Sequence, residues 1–249
     1  MMTINKNAKY LMFFDLDGTL LFDGTIDNAV KKALNAAKNA GHRIILNTGR
    51  SRAFLPEAAL GIDWDGLICG TSYTEYRGKV IMNDCVPSEL LLIAAKYCDE
   101  NRLPVRFEGV RQVLTMIDGD PFKNITGDYR KVLPFTDDIS KVTVCCPIND
   151  GAAEYFARYF DLVRLPTYTE LLQKGKTKAS GMKLIAEIEG VSRGQIVAFG
   201  DSLNDRGMLE YAGIRVVMKN APAELDLLAD IRTSEDITGV SEIMNRYFI

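Results

Sequence analysis

The sequence predicts an α/β protein, a parallel-sheet core interrupted by an inserted α+β domain. Two observations carry the prediction. Towards both ends of the chain, short apolar runs alternate with helical patterns, the rhythm of βαβ units around a buried parallel sheet. In the middle the strand-like runs are of a more antiparallel kind, joined by loops of Gly, Asp and Pro. The insertion is expected over residues 86–176, leaving 1–85 and 177–249 as the core.

The elements follow in order. Tyr10–Phe14 is a compact apolar run that stops at Asp15. Asp27–Asn39 carries Val30, Ala33, Leu34 and Ala37 at helical spacing, and Gly41 supplies a stop. Arg43–Asn47 is a second apolar run, ending at Thr48-Gly49-Arg50; Ser51–Leu60 is helical in composition, and Gly66–Cys69 is a third run. In the insertion, Glu89–Glu100 and Gly151–Tyr159 are helix candidates, with Leu103–Phe107, Val113–Ile117 and Lys141–Cys146 as strands. Further on, Gly181–Glu189 reads as a helix and Gln195–Phe199 as a strand ending at Gly200-Asp201. Asn204–Tyr211, Ile214–Met218 and Ala223–Leu228 read as helix, strand and helix.

Composition narrows the function classes. The 249 residues are 47% apolar and 25% charged, with a net charge of -3, as in ordinary soluble globular proteins. No Lys/Arg-rich run marks a nucleic-acid or membrane-surface patch, so neither partner is expected. The polar Met1–Lys9 leads into an apolar run far below the ~18 residues of a membrane span, and no signal cleavage pattern follows. Cys69, Cys85, Cys98, Cys145 and Cys146 form no C-x-x-C pair; odd in number and set in apolar stretches, they predict buried thiols and a cytoplasmic protein.

Three polar clusters share one address, each just after a short apolar run. These are Asp15-Leu16-Asp17-Gly18-Thr19, Thr48-Gly49-Arg50 and Gly200-Asp201-Ser202-Leu203-Asn204-Asp205. In an open parallel sheet, ligands bind beyond the carboxyl ends of the strands, so the clusters are expected to converge on one crevice. Four aspartates gathered there repel one another unless a cation sits between them, and oxygen ligands without His or Cys suit Mg2+. Taken singly each cluster has a plainer reading: a turn, a strand-to-helix junction, or a helix cap with first-turn acids. Their conjunction in order is what points to chemistry.

On these residues the sequence resembles the haloacid dehalogenase-like phosphatases, in particular the Cof-type branch with a large inserted cap. The motifs stand here as Asp15-Leu16-Asp17-Gly18-Thr19-Leu20, Asn47-Thr48-Gly49-Arg50, Lys178 within Gly175-Lys176-Thr177-Lys178, and Gly200 through Asp205. Met218-Lys219-Asn220-Ala221-Pro222 and Thr238-Gly239-Val240 resemble the family's closing pattern. Two departures are Cys69-Gly70, where Asn-Gly is common, and Lys219, where a small residue is usual.

The resemblance implies a Rossmann-like core, an α+β cap and a Mg2+-dependent phosphatase of small phosphorylated metabolites, sugar phosphates first, acting as a monomer or weak dimer. Asp15 is then the nucleophile that forms an aspartyl-phosphate, and it ligates the metal through its other oxygen. Asp17 is the acid that protonates the leaving oxygen and then the base for water, its carbonyl on the metal. Thr48, the amide of Gly49, Lys178 and Asn204 hold the phosphoryl oxygens. Asp201 completes the metal site, with Ser202 nearby and Asp205 as direct or outer support. Among the clustered lysines Lys178 is the first choice and Lys176 the second. A cap closing over the crevice excludes water, and Arg106, Arg111, Lys123 and Tyr129 are its candidates for substrate contacts.

Two rivals keep the same aspartate: a phosphomutase or phosphotransferase, and a non-catalytic phospho-sensor. Asp17, Lys178 and the large insertion argue against the sensor. Other patterns fail. Gly175-Lys176-Thr177 lacks the first glycine of a P-loop, where Glu170 stands, and Asp15-Leu16-Asp17-Gly18 lacks EF-hand spacing. Asn124-Ile125-Thr126 is a sequon without a secretory signal, and His42, after a helix end, reads as a surface residue. Cys145-Cys146 are expected on opposite faces of a strand.

Overall fold

The computed structural model describes residues 4–249. In chain order its elements begin with β1 (Leu11–Phe14), β2 (Leu21–Phe22), β3 (Thr25–Ile26), α1 (Asn28–Asn39), β4 (Arg43–Thr48), α2 (Glu57–Leu60), β5 (Gly66–Cys69), β6 (Tyr73–Tyr76) and β7 (Lys79–Asn83). There follow α3 (Ser88–Glu100), β8 (Val105–Gly109), β9 (Val113–Thr115), β10 (Lys123–Asn124), β11 (Ile139–Val144), α4 (Asp150–Ala157), β12 (Phe160–Arg164) and β13 (Thr169–Gln173). The last are α5 (Ala179–Glu189), β14 (Ile196–Gly200), α6 (Arg206–Tyr211), β15 (Ile214–Val217), β16 (Ile231–Arg232) and α7 (Gly239–Tyr247). They make two compact units: Met1–Gly49, Leu55–Ile81 and Thr177–Ile249 in the first, Arg50–Phe54 and Met82–Lys176 in the second.

The first unit is built on a sheet of order β16-β15-β14-β1-β4-β5-β6-β7. From β16 to β5 all neighbours are parallel, and β6 returns antiparallel to β5. All four residues of β1 are buried, as a strand covered on both faces requires. Asp27 starts α1 by accepting the amide of Ala29 at 2.7 Å, and Val30, Ala33, Leu34 and Ala37 form its buried stripe. Burying a leucine such as Leu34 fully stabilises by roughly 1.5–3 kcal/mol. α5 stops at Gly190, which takes the left-handed conformation at φ 63°. It packs so closely on the sheet that a Cβ at Gly181 would lie 2.4 Å from Thr74 Oγ1.

The second unit has a sheet of order β10-β9-β8-β11-β13-β12, antiparallel from β9 to β12 and parallel only between β9 and β10. Phe107, Val142 and Leu171 point to one face, where they share a core with Leu91 and Cys98 of α3 and Phe156 of α4. The alternate residues Glu108, Lys141, Thr143 and Glu170 point the other way and are also buried. Lys141 Nζ donates to Glu170 Oε1 at 2.5 Å and Thr143 Oγ1 to Glu108 Oε1 at 2.6 Å.

Several expectations are corrected. Ser51–Leu60 is not one helix: a 3-10 turn at Arg52–Phe54 is separated from α2 by Pro56, which caps the latter. Ala223–Leu228 shortens to a single turn, Ala223–Leu225: Leu225 is buried in the core and Leu228 packs partly against it, while Leu227 is 93% exposed. β6, β7, β12 and β13 have no counterpart in the sequence reading. Cys145 and Cys146 lie just past the end of β11 rather than within it, and three of the five free cysteines, Cys85, Cys145 and Cys146, are only half-buried. His42 is buried, not at the surface: the Tyr10 amide donates to its Nδ1 at 3.2 Å, and Nε2 bonds the Phe248 carbonyl at 3.0 Å. Among the described residues no helix is long and apolar enough to cross a membrane.

Candidate active site

The parallel register aligns the strand ends. Phe14 pairs with Leu46 on one side and Phe199 on the other, so the residues after β1, at the end of β4 and after β14 meet along one edge. Asp15 extends the ladder by one bond, its amide donating to the Phe199 carbonyl at 2.9 Å. It is only 4% exposed. The turn after it closes through the Leu21 amide on the Leu16 carbonyl at 2.7 Å. Gly18, at φ 81°, lets the loop come so close to Asp201 that a Cβ there would stand 2.3 Å from Asp201 Oδ2. Asp17 lies exposed on this turn.

One oxygen each of Asp15, Asp201 and Asp205 lie within 4.8 Å of one another. Lys178, 2% exposed at the start of α5, is the cation among them: its Nζ donates to Asp15 Oδ1 and, at 2.5 Å, to Asp205 Oδ1. Burial disfavours charge on Lys178, but Asp15 and Asp205 outweigh it and hold its proton more tightly than usual. Burial, then the charge of Asp205, pushes the Asp15 carboxyl well above the usual carboxylate range, and Lys178 offsets only part of this. Burial and Asp205 likewise raise Asp201 to about 6.

Asp205 is fully buried, and its Oδ2 accepts the amides of Asp201 and Ser202, both at 3.0 Å. Gly200 makes room for it, since a Cβ there would lie 2.7 Å from the Asp205 Cβ. Ser202 Oγ donates to Asn204 Oδ1 at 2.8 Å, which keeps both on the same turn. Thr48 is buried at the carboxyl end of β4, and Gly49 follows it at the close of that segment of the first unit.

Three residues of the quoted motifs carry roles that the sequence did not assign. Asn47 Nδ2 donates to the Lys178 carbonyl at 2.9 Å and so fixes where the lysine starts. Thr19 Oγ1 donates to Asp201 Oδ1 at 3.0 Å, and Asn220 Nδ2 to the Gly18 carbonyl at 3.0 Å. Their polar side chains within or beside buried strand ends were the available signal. Lys176 is not at the carboxylates; it pairs with Asp84 in the second unit.

The four cap candidates lie in the second unit, where each has partners of its own. Arg106 grips Asp120 with Nε and Nη2 at 2.8 and 3.1 Å, its guanidinium 5.6 and 5.2 Å from the rings of Phe54 and Phe122. Arg111 pairs with Asp137 and Asp138, Lys123 Nζ stands 4.2 Å from the Phe135 ring, and Tyr129 packs on the unit's core.

The carboxylate cluster fits a hard divalent cation. Its donors are all oxygen, and a single ammonium, on Asp15 and Asp205, faces three carboxylates, two of them buried. Mg2+ is bound in such sites by one or two carboxylates, with waters and phosphate oxygens completing the shell.

Known proteins bear on this geometry. The profile of the haloacid dehalogenase-like hydrolases matches residues 12–244. YkrA of Bacillus subtilis (strain 168), a phosphatase by name, is 30% identical over 239 residues, covering 90% of this chain and 91% of its own. The 5-amino-6-(5-phospho-D-ribitylamino)uracil phosphatase YitU of the same organism is 27% identical, covering 98% and 99%. Among solved structures, the sugar phosphatase BT4131, of subclass IIB, shares the fold with a TM-score of 0.83 at 24% identity over 96% of this chain and 99% of its own. A parallel α/β core, an inserted α+β unit and aspartates gathered at the strand ends are what such a fold requires, and the chain belongs to the haloacid dehalogenase-like hydrolases, among their phosphatases.

Proposed function

We propose that the protein hydrolyses small-molecule phosphate monoesters, sugar phosphates first, by passing the phosphoryl group to Asp15 and then to water with Mg2+ as cofactor. The observation that carries this is the trio Asp15, Asp201 and Asp205 at the carboxyl edge of the sheet, with Lys178 bridging the buried Asp15 and Asp205. YitU and BT4131 are named for a ribityl phosphate and a sugar phosphate, which supports the substrate class. The five free cysteines support a cytoplasmic setting.

Asp15, Asp201 and the Asp17 carbonyl would hold the cation, which supplies positive charge to the phosphate and to the attacking carboxylate. Lys178 fixes Asp15 through one oxygen, so the carboxylate is oriented before the ester arrives. A carboxylate oxygen of Asp15 attacks phosphorus, and the bond from phosphorus to the ester oxygen breaks as the new bond forms. Asp17 gives its proton to the departing oxygen. Water then attacks the phosphorus; Asp17 takes the proton back, the Asp15–phosphorus bond breaks, and inorganic phosphate leaves. Thr48, the Gly49 amide, Lys178 and Asn204 balance the charge on the phosphoryl oxygens. Asp205 already gives both oxygens to Lys178 and two loop amides, so we assign it to shaping the site, with Ser202 holding Asn204 on the same turn.

Phosphate release from p-nitrophenyl phosphate, with Mg2+ or with EDTA and no acceptor but water, tests the reading. Turnover is expected with Mg2+, lost with EDTA and reduced at least roughly 10³-fold in Asp15→Asn. Turnover that survives Asp15→Asn, or that ignores EDTA, overturns it, and a need for an acceptor alcohol would favour a phosphotransferase.

A further inference from the structure

The core unit keeps an unused set of polar groups beside the site. Gly70 follows β5 and donates its amide to the Thr48 carbonyl at 3.0 Å, while Thr48 pairs with Cys69. Thr71 and Ser72 therefore stand next to Thr48 along the carboxyl edge, two strands from Asp15, or about 10 Å at the usual strand spacing. Both are buried, 5% and 1% exposed, and neither Thr71 Oγ1 nor Ser72 Oγ has a hydrogen-bond partner. Shielded from water and unpaired, such hydroxyls are unfavourable unless something else completes them.

Thr71 carries a second mark. Its φ is 65°, in the left-handed region beside Gly70 at φ 58°. Glycine adopts this conformation freely; for a β-branched residue it is an outlier, held only where the surroundings impose it. No hydrogen bond within the fold uses the hydroxyl in return. Glycine or asparagine would make the same turn with less strain.

We propose that Thr71 orients the substrate, its hydroxyl bonding a hydroxyl of the leaving group while the phosphoryl group sits at Asp15 and Thr48. The assignment rests on the phosphatase reading and sharpens it. A neutral hydroxyl selects a neutral, hydroxyl-bearing leaving group over an aromatic one, because an ester without that hydroxyl leaves Thr71 unpaired.

The test compares kcat/KM for sorbitol 6-phosphate with kcat/KM for p-nitrophenyl phosphate, which lacks an aliphatic hydroxyl. Wild-type turnover of the nitrophenyl ester bears on the phosphatase reading alone, and the ratio of the two constants bears on Thr71. The ratio is expected to fall about fivefold to tenfold in Thr71→Val and to return in Thr71→Ser, the yield of one neutral hydrogen bond. Thr71→Gly, which relieves the positive φ, is expected to show the same fall and guards against a misfolded valine variant. A ratio unchanged in Thr71→Val and Thr71→Gly, or a serine variant that behaves like valine, overturns the assignment.

Discussion

Lys141→Met removes a buried cation that the second unit's sheet holds beside two buried carboxylates. Lys141 and Glu170 are each 4% exposed, Glu108 is 2% exposed, and the lysine is the cation between the two carboxylates on that face of the second unit's sheet. Burial works against the lysine's charge, yet Glu108 and Glu170 keep its proton bound more tightly than usual. Methionine fills similar space and removes only the charge. Breaking a buried pair from one side costs about 3–5 kcal/mol. At pH 7 the loss is limited by the alternative of protonating the orphaned carboxylate, about 4 kcal/mol from an ordinary Glu value. A loss of about 3–4 kcal/mol is therefore expected in urea denaturation at pH 7, with little change in the slope against urea. The pH dependence has a definite sign. The orphaned glutamate has a raised folded-state pKa, so between its unfolded and folded values the folded protein binds the extra proton. Stability of the variant thus rises as pH falls from 7 to 5, by up to about 2–3 kcal/mol, relative to wild type. A loss below about 1 kcal/mol, or an equal loss at both pH values, would refute the reasoning. So would a Lys141→Met/Glu170→Gln double variant that recovers nothing.

Other perturbations probe the core. His42 is held neutral between the Tyr10 amide and the Phe248 carbonyl, and burial lowers its pKa from the ordinary 6.5. Below about pH 6.5 the unfolded chain binds the proton first, so stability falls as pH falls, by at most about 1.4 kcal/mol per pH unit. Urea midpoints at pH 7.5 and 5.5 should show this slope in wild type and a smaller one in His42→Gln. Gly18→Ala places a methyl 2.3 Å from Asp201 Oδ2 at φ 81°, and the displaced carboxylate should lower phosphate release roughly 10²-fold while raising the Mg2+ requirement. Full turnover at wild-type Mg2+ in that variant would mean Asp201 tolerates displacement.

What could be read from the sequence is what local pattern encodes. Asp15 and Asp201 each follow a run of buried residues, and such a run cannot absorb an aspartate without ending, so the strand ends were legible. The stripe of α1 was legible because four small or branched apolar residues recur at helical spacing. β7 was not, since an edge strand with no buried residue carries no alternation to detect. Glu108, Lys141 and Glu170 carry no local mark of burial, and only cross-strand pairing reveals that their charges face one another. Asn47 reaches Lys178 across 131 residues of sequence, a contact that no window contains. Thr71 is the extreme case. Threonine is a strand former, and nothing in its neighbours announces a positive φ.

The two aspartates of the first loop also explain why one site needs two environments. The proposed nucleophile needs its charge, yet burial and Asp205 work against it; Lys178 offsets only part of this, and the neighbouring carboxylates invite a cation to supply the rest. The proposed proton carrier must give a proton to the leaving oxygen and take one from the attacking water, so burial among those carboxylates would disable it. The backbone separates the two over one residue. Leu16, fully buried, anchors the loop, and the Leu21 amide on its carbonyl turns the next residue outward, leaving Asp17 exposed. Environment rather than residue type divides the proposed roles, as in other paired carboxylate sites. Gly18 and Thr19 then return the chain to Asp201, so the turn that exposes the acid is the turn that secures the metal-side carboxylate. A change that loosens this turn should therefore displace the Asp201 carboxylate as well as Asp17, whereas a substitution of the Asp17 side chain removes the proposed proton carrier and leaves Asp201 in place.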